Sequence, residues 1–407
     1  MKGKSSIPAL ELETLNALIS KLPTPPNLFF SNLFSSTQYE SDTIRWEIEY
    51  GSAGMTPFVA PGSVAPAIGL DGIGEASARA AYYKEKMYFD EEFLNNLREP
   101  GTYATYMTAE RQLARGAQKL DTRLSRRREW MMAKMIVDGS LTYIQKGGTK
   151  FTVSYGVPAS HKVTLTGNYV WGTGSTRNPV KDIFDAKITL SDDAGVQPNF
   201  AICNSNTLKL LLFDSSMQAL LTKSAFGQGD LFANPAQVVG TILGVGTLVI
   251  YDEIYEVPAW LTANVTGGAT TVISVDDASD FEAGGTLRFH DMSQYNVYED
   301  ETIASVDQQA GTVTVSSAPT LSFVAGEDRV TMKKKFIADN KFSLIATNVD
   351  GRPVAEFMEA PYGVGRRWGR FADTKLEWDP EGIWLRVQDK GLPVMYNPDT
   401  VFTLTVV

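Results

Sequence analysis

The sequence predicts an α+β chain in which one long helix and a mixed sheet-and-helix body are joined by an all-β insertion. Three observations carry this. Apolar side chains at Tyr106, Leu113, Ala117, Leu120, Leu124, Met131 and Met135 recur at helical spacings within 104–145, a stretch without proline. Short helical and strand patterns alternate from 151 to 260 and resume at Phe336. Between them, 262–332 shows short strand-like runs separated by Gly, Asp and Ser turns.

Composition bounds the function. The 407 residues exceed one ordinary domain. With 43% apolar and 11% aromatic residues the chain can bury a sizeable core, which excludes wholesale disorder. Forty-seven acidic against 37 basic residues give a net charge of −10, which argues against tight, sequence-independent binding to a phosphate backbone. A single cysteine, Cys203, excludes an intramolecular disulfide, and two histidines, His161 and His290, weaken His-based metal or triad chemistry. Glu11 and Glu13 interrupt the apolar pattern after the basic start, so no signal-peptide core forms. The uncharged run Leu231 to Tyr251 is broken by Pro235, Gly240, Gly244 and Gly246, and reads as helix, turn and buried strand rather than a membrane span. A soluble, cytoplasmically made protein is the expectation.

The elements follow in order. Residues 1–45 form an arm: a helix from Ala9 to Leu22, stopped by Pro23-Thr24-Pro25-Pro26, then the apolar cluster Leu28 to Phe34, which must dock on its own chain or a neighbour. Residues 46–89 form an extended loop. Strands at Thr43 to Tyr50 and Arg79 to Phe89 flank Gly51 to Ala76, which holds six glycines, three prolines and only two charges. So long and uncharged a tip predicts a hairpin lying across an adjacent subunit. Residues 90–179 carry the long helix, expected over 104–145. A helix of about 35 residues is about 52 Å long, a strut rather than part of a compact core.

In 180–261, Asn178-Pro179 starts a helix with apolar positions Val180, Ile183, Phe184 and Ile188, and Gly195 closes it. Phe200 to Cys203 reads as a buried strand, Asn204 as the cap of a helix through Leu212, Pro235 to Leu243 as a helix, and Leu248 to Tyr251 as a strand. Within 262–332, strands are expected at Thr270 to Val275, Thr286 to Phe289, Glu301 to Val306 and Thr312 to Val315, an insertion of about 70 residues able to fold alone. In 333–390 and 391–407 the rhythm returns at Phe336 to Thr347, with strands at Glu381 to Val387 and, after Asn397-Pro398-Asp399, Val401 to Val406.

Five segments occur in a telling order: Met55-Thr56-Pro57-Phe58-Val59 before a Gly/Pro/Ala loop; Ala81-Tyr82-Tyr83-Lys84-Glu85-Lys86; Arg126-Arg127-Arg128-Glu129 on a helix ending Val137-Asp138-Gly139-Ser140; Leu243 to Tyr251; and Asn397-Pro398-Asp399. This series resembles the major capsid proteins of tailed bacteriophages with the HK97 fold, most closely the lambda-type major head protein family, over nearly the whole chain outside 262–332.

The resemblance implies an N-terminal arm (1–45), an E-loop (46–89), a peripheral domain with a spine helix (90–179), and an axial domain in two parts (180–261 and 333–390). The insertion domain (262–332) would interrupt the axial domain, and a C-terminal strand (391–407) would close the chain. It implies a structural, non-enzymatic head subunit without cofactors or metals. Copies would join as pentamers and hexamers into an icosahedral shell around double-stranded DNA, assembled in the host cytoplasm and residing in the virion. Its partners would be itself, a portal, a separate scaffolding protein, a decoration protein, and packaged DNA by weak, non-specific contact. Contacts between copies are expected at Phe29, Phe30, Phe34, Met55, Phe58, Val59, Arg126, Arg127, Arg128, Arg366, Arg367 and Trp368. The physical logic agrees: greasy extensions exchanged between neighbours take their stability from assembly.

Other readings compete at particular residues. Arg123 and Arg126 to Arg128 could meet DNA or a neighbour, or pair within the chain with Asp121 and Glu129. Lys84 and Lys86 invite comparison with family members that crosslink lysine to asparagine, chemistry that needs a carboxylate base in a dry pocket; an edge-strand charge pattern explains them more simply. Asp276, Asp277, Asp280 and Glu282 could hold calcium but read as turn formers. His161 and His290 lack ligand spacing, and Cys203 reads as a small core residue. Trp368, with Arg366, Arg367 and Arg370, suits a subunit contact better than base stacking. Gly363-Val364-Gly365 lacks the lysine of a phosphate loop. The rival functions are a β-rich carbohydrate-binding or adhesin-like surface protein acting through 262–332, and a hydrolase using carboxylates among Asp252, Glu253 and Glu256, which their spacing does not support.

Overall fold

The computed structural model describes residues 27–49, 58–59, 74–90, 109–144, 149–224, 234–294, 296–379 and 381–407. The expected helix at Ala9 to Leu22, Met55 and most of the loop tip lie outside the described residues.

The long helix runs from Ala109 to Asp138. Its end is set by Gly139, whose φ of +60° reverses the chain where an added Cβ would meet Val157 Cβ at 2.9 Å. The helix expected to reach 145 therefore stops seven residues early. Ser140–Ile144 alternates as a strand and pairs with Lys150–Ser154. At about 1.5 Å per residue the helix spans about 45 Å and bridges two cores. Its first half buries Ala117, Leu120 and Leu124 against Phe89, Ala372, Ile383, Leu385 and Val387. Its second half sends Met131, Met132, Met135 and Ile136 into a central core shared with Phe30, Trp46, Tyr155 and Phe357.

The sheet under the helix is organised by the 15-residue strand Glu381–Met395. One flank pairs with Ala81–Asp90, and the other with Phe371–Trp378 and Ala355–Glu359, which in turn takes Ser36–Gln38 in parallel. Gly391 permits this approach, because a Cβ there would lie 2.4 Å from the Phe357 ring. The pairing divides 333–390 differently from the sequence reading. Lys341–Ile345 joins the second sheet, whereas the strands from Ala355 to Met395 lie against the long helix, because their alternation buries Phe357, Ala372 and Leu385 on that side.

The second sheet has the order Lys162–Thr164, Val401–Thr405, Lys341–Ile345, Phe200–Cys203, Thr247–Ile250. Helices Pro179–Ala194, Ser205–Leu212, Ser215–Lys223 and Pro235–Leu243 surround it. The expected caps are present: Asn178 accepts from the Lys181 amide, Asn204 from the Thr207 amide, and Gly195 closes its helix at φ +69°. Along Pro179–Ala194 the buried stripe is Ile183, Ala186, Leu190 and Ala194. Phe184 and Ile188, expected inside, point to solvent at 39% and 55% exposure, because they lie about a quarter turn round the helix from that stripe.

The third sheet is antiparallel, in the order Ile254–Trp260, Arg329–Lys335, Thr286–His290, Tyr298–Asp307, Thr312–Val315, Val272–Ser274. It runs wider than 262–332 and buries its own core, which includes Val257, Ile273, Leu287, Phe289, Ile303, Phe323 and Val330. No described helix is long and apolar enough to cross a membrane.

Candidate functional site

The described residues hold no group of three or more metal-ligating side chains. Their distinctive chemistry is a row of charges on the long helix and a set of exposed apolar tips. The row begins at Arg123, whose Nε donates to Glu85 at 2.6 Å. Arg127 reaches Asp280 through both terminal nitrogens, at 2.5 and 3.4 Å, with its guanidinium over the Trp130 ring. Arg128 lies over the Phe357 ring and donates to Asp389 at 2.6 Å and Glu359 at 2.8 Å. Asp389, fully buried, also accepts the Tyr83 hydroxyl at 2.5 Å. Burial and then the Asp389 charge push the Tyr83 phenol well above its ordinary range. Arg370 takes Asp121 at 2.7 Å, and burial raises the Asp121 carboxyl despite that partner. These pairs are charge-assisted and tie the helix to its own chain.

Glu129, fully buried, receives the arm. It accepts the Phe30 amide at 2.9 Å, the Ser31 amide and hydroxyl each at 2.7 Å, and the Tyr251 hydroxyl at 2.6 Å. The cluster Phe29–Leu33 forms one short helix, and Phe29 and Phe30 pack edge-on, with Phe29 against Phe200 and Phe30 against Tyr251.

Several residues expected to touch other copies are engaged within the chain itself, and Phe30 and Phe34 are buried there. They lie in the chain's own core and Phe29 is packed against it, because Glu129 and Tyr251 supply polar partners for the arm backbone. Arg127 and Arg128 are satisfied by Asp280, Asp389 and Glu359, partners too distant in sequence to be read there. The expected partners Asp121 and Glu129 serve Arg370 and the arm instead. Arg366 donates to the Glu40 carbonyl at 2.8 Å, and the Trp368 indole to the Tyr39 carbonyl at 2.9 Å, while Arg367 lies over the Phe371 ring. That loop fixes the chain after the arm, and its turn from Gly363 to Arg366 stays exposed.

Phe58, Val59 and Arg126 stay exposed. Phe58 and Val59 lie in the connection between Thr43–Ile48 and Gly74–Arg79, which pair over six positions. The sequence reading missed further exposed apolar side chains: Phe213 at 71%, Trp378 at 89%, and the Phe184–Ile188 stripe. The i, i+4, i+8 spacing of Val180, Phe184 and Ile188 beside a second apolar stripe was the available signal.

The remaining candidates are structural. His161 is buried, with Nδ1 2.9 Å from the Val401 carbonyl and Nε2 2.9 Å from Asp193, and His290 meets Thr331. Burial pushes the Cys203 thiol up to about 12. Asp277 accepts the Ser279 amide two residues on, as a turn former does, and Asp276 accepts the Trp260 amide from the strand Ile254–Trp260. Lys86 lies over the Trp384 ring at 3.8 Å, and Lys84 over Tyr82.

Comparison with known proteins adds three findings. A family model described as "Phage major capsid protein E" matches residues 11–306. No curated protein is measurably similar in sequence. Among solved structures, a putative prophage capsid protein from E. coli CFT073 superposes with a TM-score of 0.53 at 13% identity, covering 97% of this chain and 99% of that one. A phage-related protein from Bordetella bronchiseptica RB50 superposes with a TM-score of 0.50 at 11% identity, covering 96% of each chain.

Proposed function

The chain belongs to the phage major capsid protein E family, and from that premise we propose that it builds the icosahedral head of a tailed, double-stranded DNA phage as pentamers and hexamers of itself. The observation that supports this reading is the hairpin tip. Phe58 is fully exposed and Val59 half exposed, in a loop with almost no charge. An isolated chain gains nothing from such a tip, whereas a neighbouring copy can bury it.

In this reading the arm stays with its own subunit and the hairpin crosses to the next. The unit around Pro179–Ala194 closes the ring, and the long helix holds hairpin and ring unit apart. The chain acts geometrically, without catalysis. Its net charge of −10 keeps contact with packaged DNA weak. Portal, scaffold and decoration proteins are the further partners, and assembly takes place in the host cytoplasm. The experiment is direct: purify the chain and follow it by sedimentation and negative-stain electron microscopy. Rings or closed shells are expected; a chain that stays monomeric at high concentration under every ionic condition overturns the reading.

A further inference from the structure

We propose that the six-stranded unit is hinged on a two-stranded stem and held at its present angle to the long helix by the Arg127–Asp280 pair. This goes beyond the shell reading and does not need it.

The stem is the base of the ribbon of Ile254–Trp260 and Arg329–Lys335: there Ile254–Glu256 pairs with Lys333–Lys335 as two strands alone, whereas Arg329–Met332 also pairs with Leu287–His290 and belongs to the unit. At its base Tyr255 packs on Phe336, ring centroids 5.0 Å apart, and joins the central core. Beyond Val257 the buried apolar residues belong to the unit's own core, so the unit is rigid within itself. Between it and the rest of the chain lies an open cleft of about 620 Å³. One wall is Tyr83 to Met87 and the helix from Lys119 to Trp130; the other is Pro258, Trp260 and Arg329.

Arg127 crosses this cleft to both carboxylate oxygens of Asp280. The pair is 38% and 28% exposed, so water screens it incompletely. Its far end reaches the stem, because Lys334 donates to the Asp280 carbonyl at 3.3 Å and pairs with Glu282 at 2.7 Å. Helix, Arg127, Asp280, Lys334 and stem thus form one chain of polar contacts. A narrow ribbon with a rigid body beyond it and a solvent-filled cleft beside it is hinge geometry. The two-pronged ion pair is what stops the swing.

The test places spin labels at Gln118→Cys on the helix and Ala304→Cys on the unit, both exposed, in full-length chain diluted with unlabelled chain. Pulsed dipolar spectroscopy then reads the distance across the cleft. A narrow distribution is expected with Arg127 intact, and one at least twice as wide in Arg127→Gln, a variant that leaves the unit's own core untouched. Asp280→Asn gives the same widening, and the reversed pair Arg127→Asp with Asp280→Arg narrows it again. An equally narrow distribution in both single variants, or a wide one with the pair intact, overturns the proposal.

Discussion

Glu129 accepts the Tyr251 hydroxyl at 2.6 Å with the same carboxylate oxygen that takes the Phe30 amide at 2.9 Å. One buried side chain on the long helix therefore holds both the arm and the strand end at Tyr251. Its second oxygen takes the Ser31 amide and hydroxyl. No Arg or Lys pairs with it among the described residues, so hydrogen bonds alone balance the charge.

Glu129→Ala leaves these donors buried and unmet, at about 1–3 kcal/mol for each one that water cannot reach. The expected loss of unfolding free energy is about 3–5 kcal/mol, with the arm becoming the first site of proteolysis. Tyr251→Phe removes one bond of the set and costs about 1 kcal/mol. Denaturant midpoints and timed proteolysis check both. A Glu129→Ala chain with native stability and a protected arm contradicts this account of the arm.

Arg128 and Arg126 separate structural charge from surface charge on one helix. Arg128→Ala strands the buried Asp389 beside Glu359 and costs about 3–5 kcal/mol. Arg128→Lys recovers part of that, since an ammonium cannot reach both carboxylates from one plane. Arg126, exposed, changes stability by less than about 0.5 kcal/mol on replacement by alanine. Thermal unfolding of the three variants decides the matter.

Stability falls at high pH, and the sign follows from the tyrosines. Burial raises Tyr83, Tyr155, Tyr251, Tyr255 and Tyr362 above the ordinary value of 10.0, with the Asp389 charge adding at Tyr83 and the Glu129 charge at Tyr251. A folded pKa above the unfolded one means the folded state keeps protons that the unfolded state releases. The contribution is fully present below pH 10 and is lost as pH rises beyond it. Absorbance titration is expected to show these phenols ionising only as the chain unfolds. Complete, reversible titration near pH 10 with the fold intact contradicts this.

Local chemistry was legible in the sequence and long-range pairing was not. Asn178, Asn204 and Gly195 announce their helix ends because a cap is settled within three or four residues. The insertion strands near Thr286 and Thr312 were legible from alternation and turn residues. Periodicity alone carries the helix to 145, because apolar spacing continues through Leu141 and Ile144, which alternate as a strand; the segment series places its end at Val137 to Ser140, where it lies. Phe371–Trp378 escaped notice, since its Asp373, Lys375 and Glu377 look like loop until Glu381–Met395 pairs beside it. The arm cluster was recognised as sticky, but its receptor lies about a hundred residues away at Glu129. For the same reason the intrachain partners offered for the arginine row, Asp121 and Glu129, are not the ones found: Asp280 holds Arg127, and Glu359 and Asp389 hold Arg128.

Phe58→Asp tests the hairpin tip without disturbing the subunit. The side chain makes no buried contact, so unfolding free energy changes by less than about 0.5 kcal/mol. Burying a phenylalanine on a neighbour is worth about 1.5–3 kcal/mol, which makes its loss a roughly ten- to hundredfold rise in the concentration needed for assembly. Ile188→Asp, on the exposed stripe of Pro179–Ala194, probes the proposed ring contact in the same way and leaves Ile183 and Leu190 packed. Sedimentation across a concentration series separates the two. If Phe58→Asp assembles at the unmodified concentration while Ile188→Asp does not, the ring surface joins the copies and the hairpin tip has another use. Loss in both places the tip and the ring in one cooperative assembly.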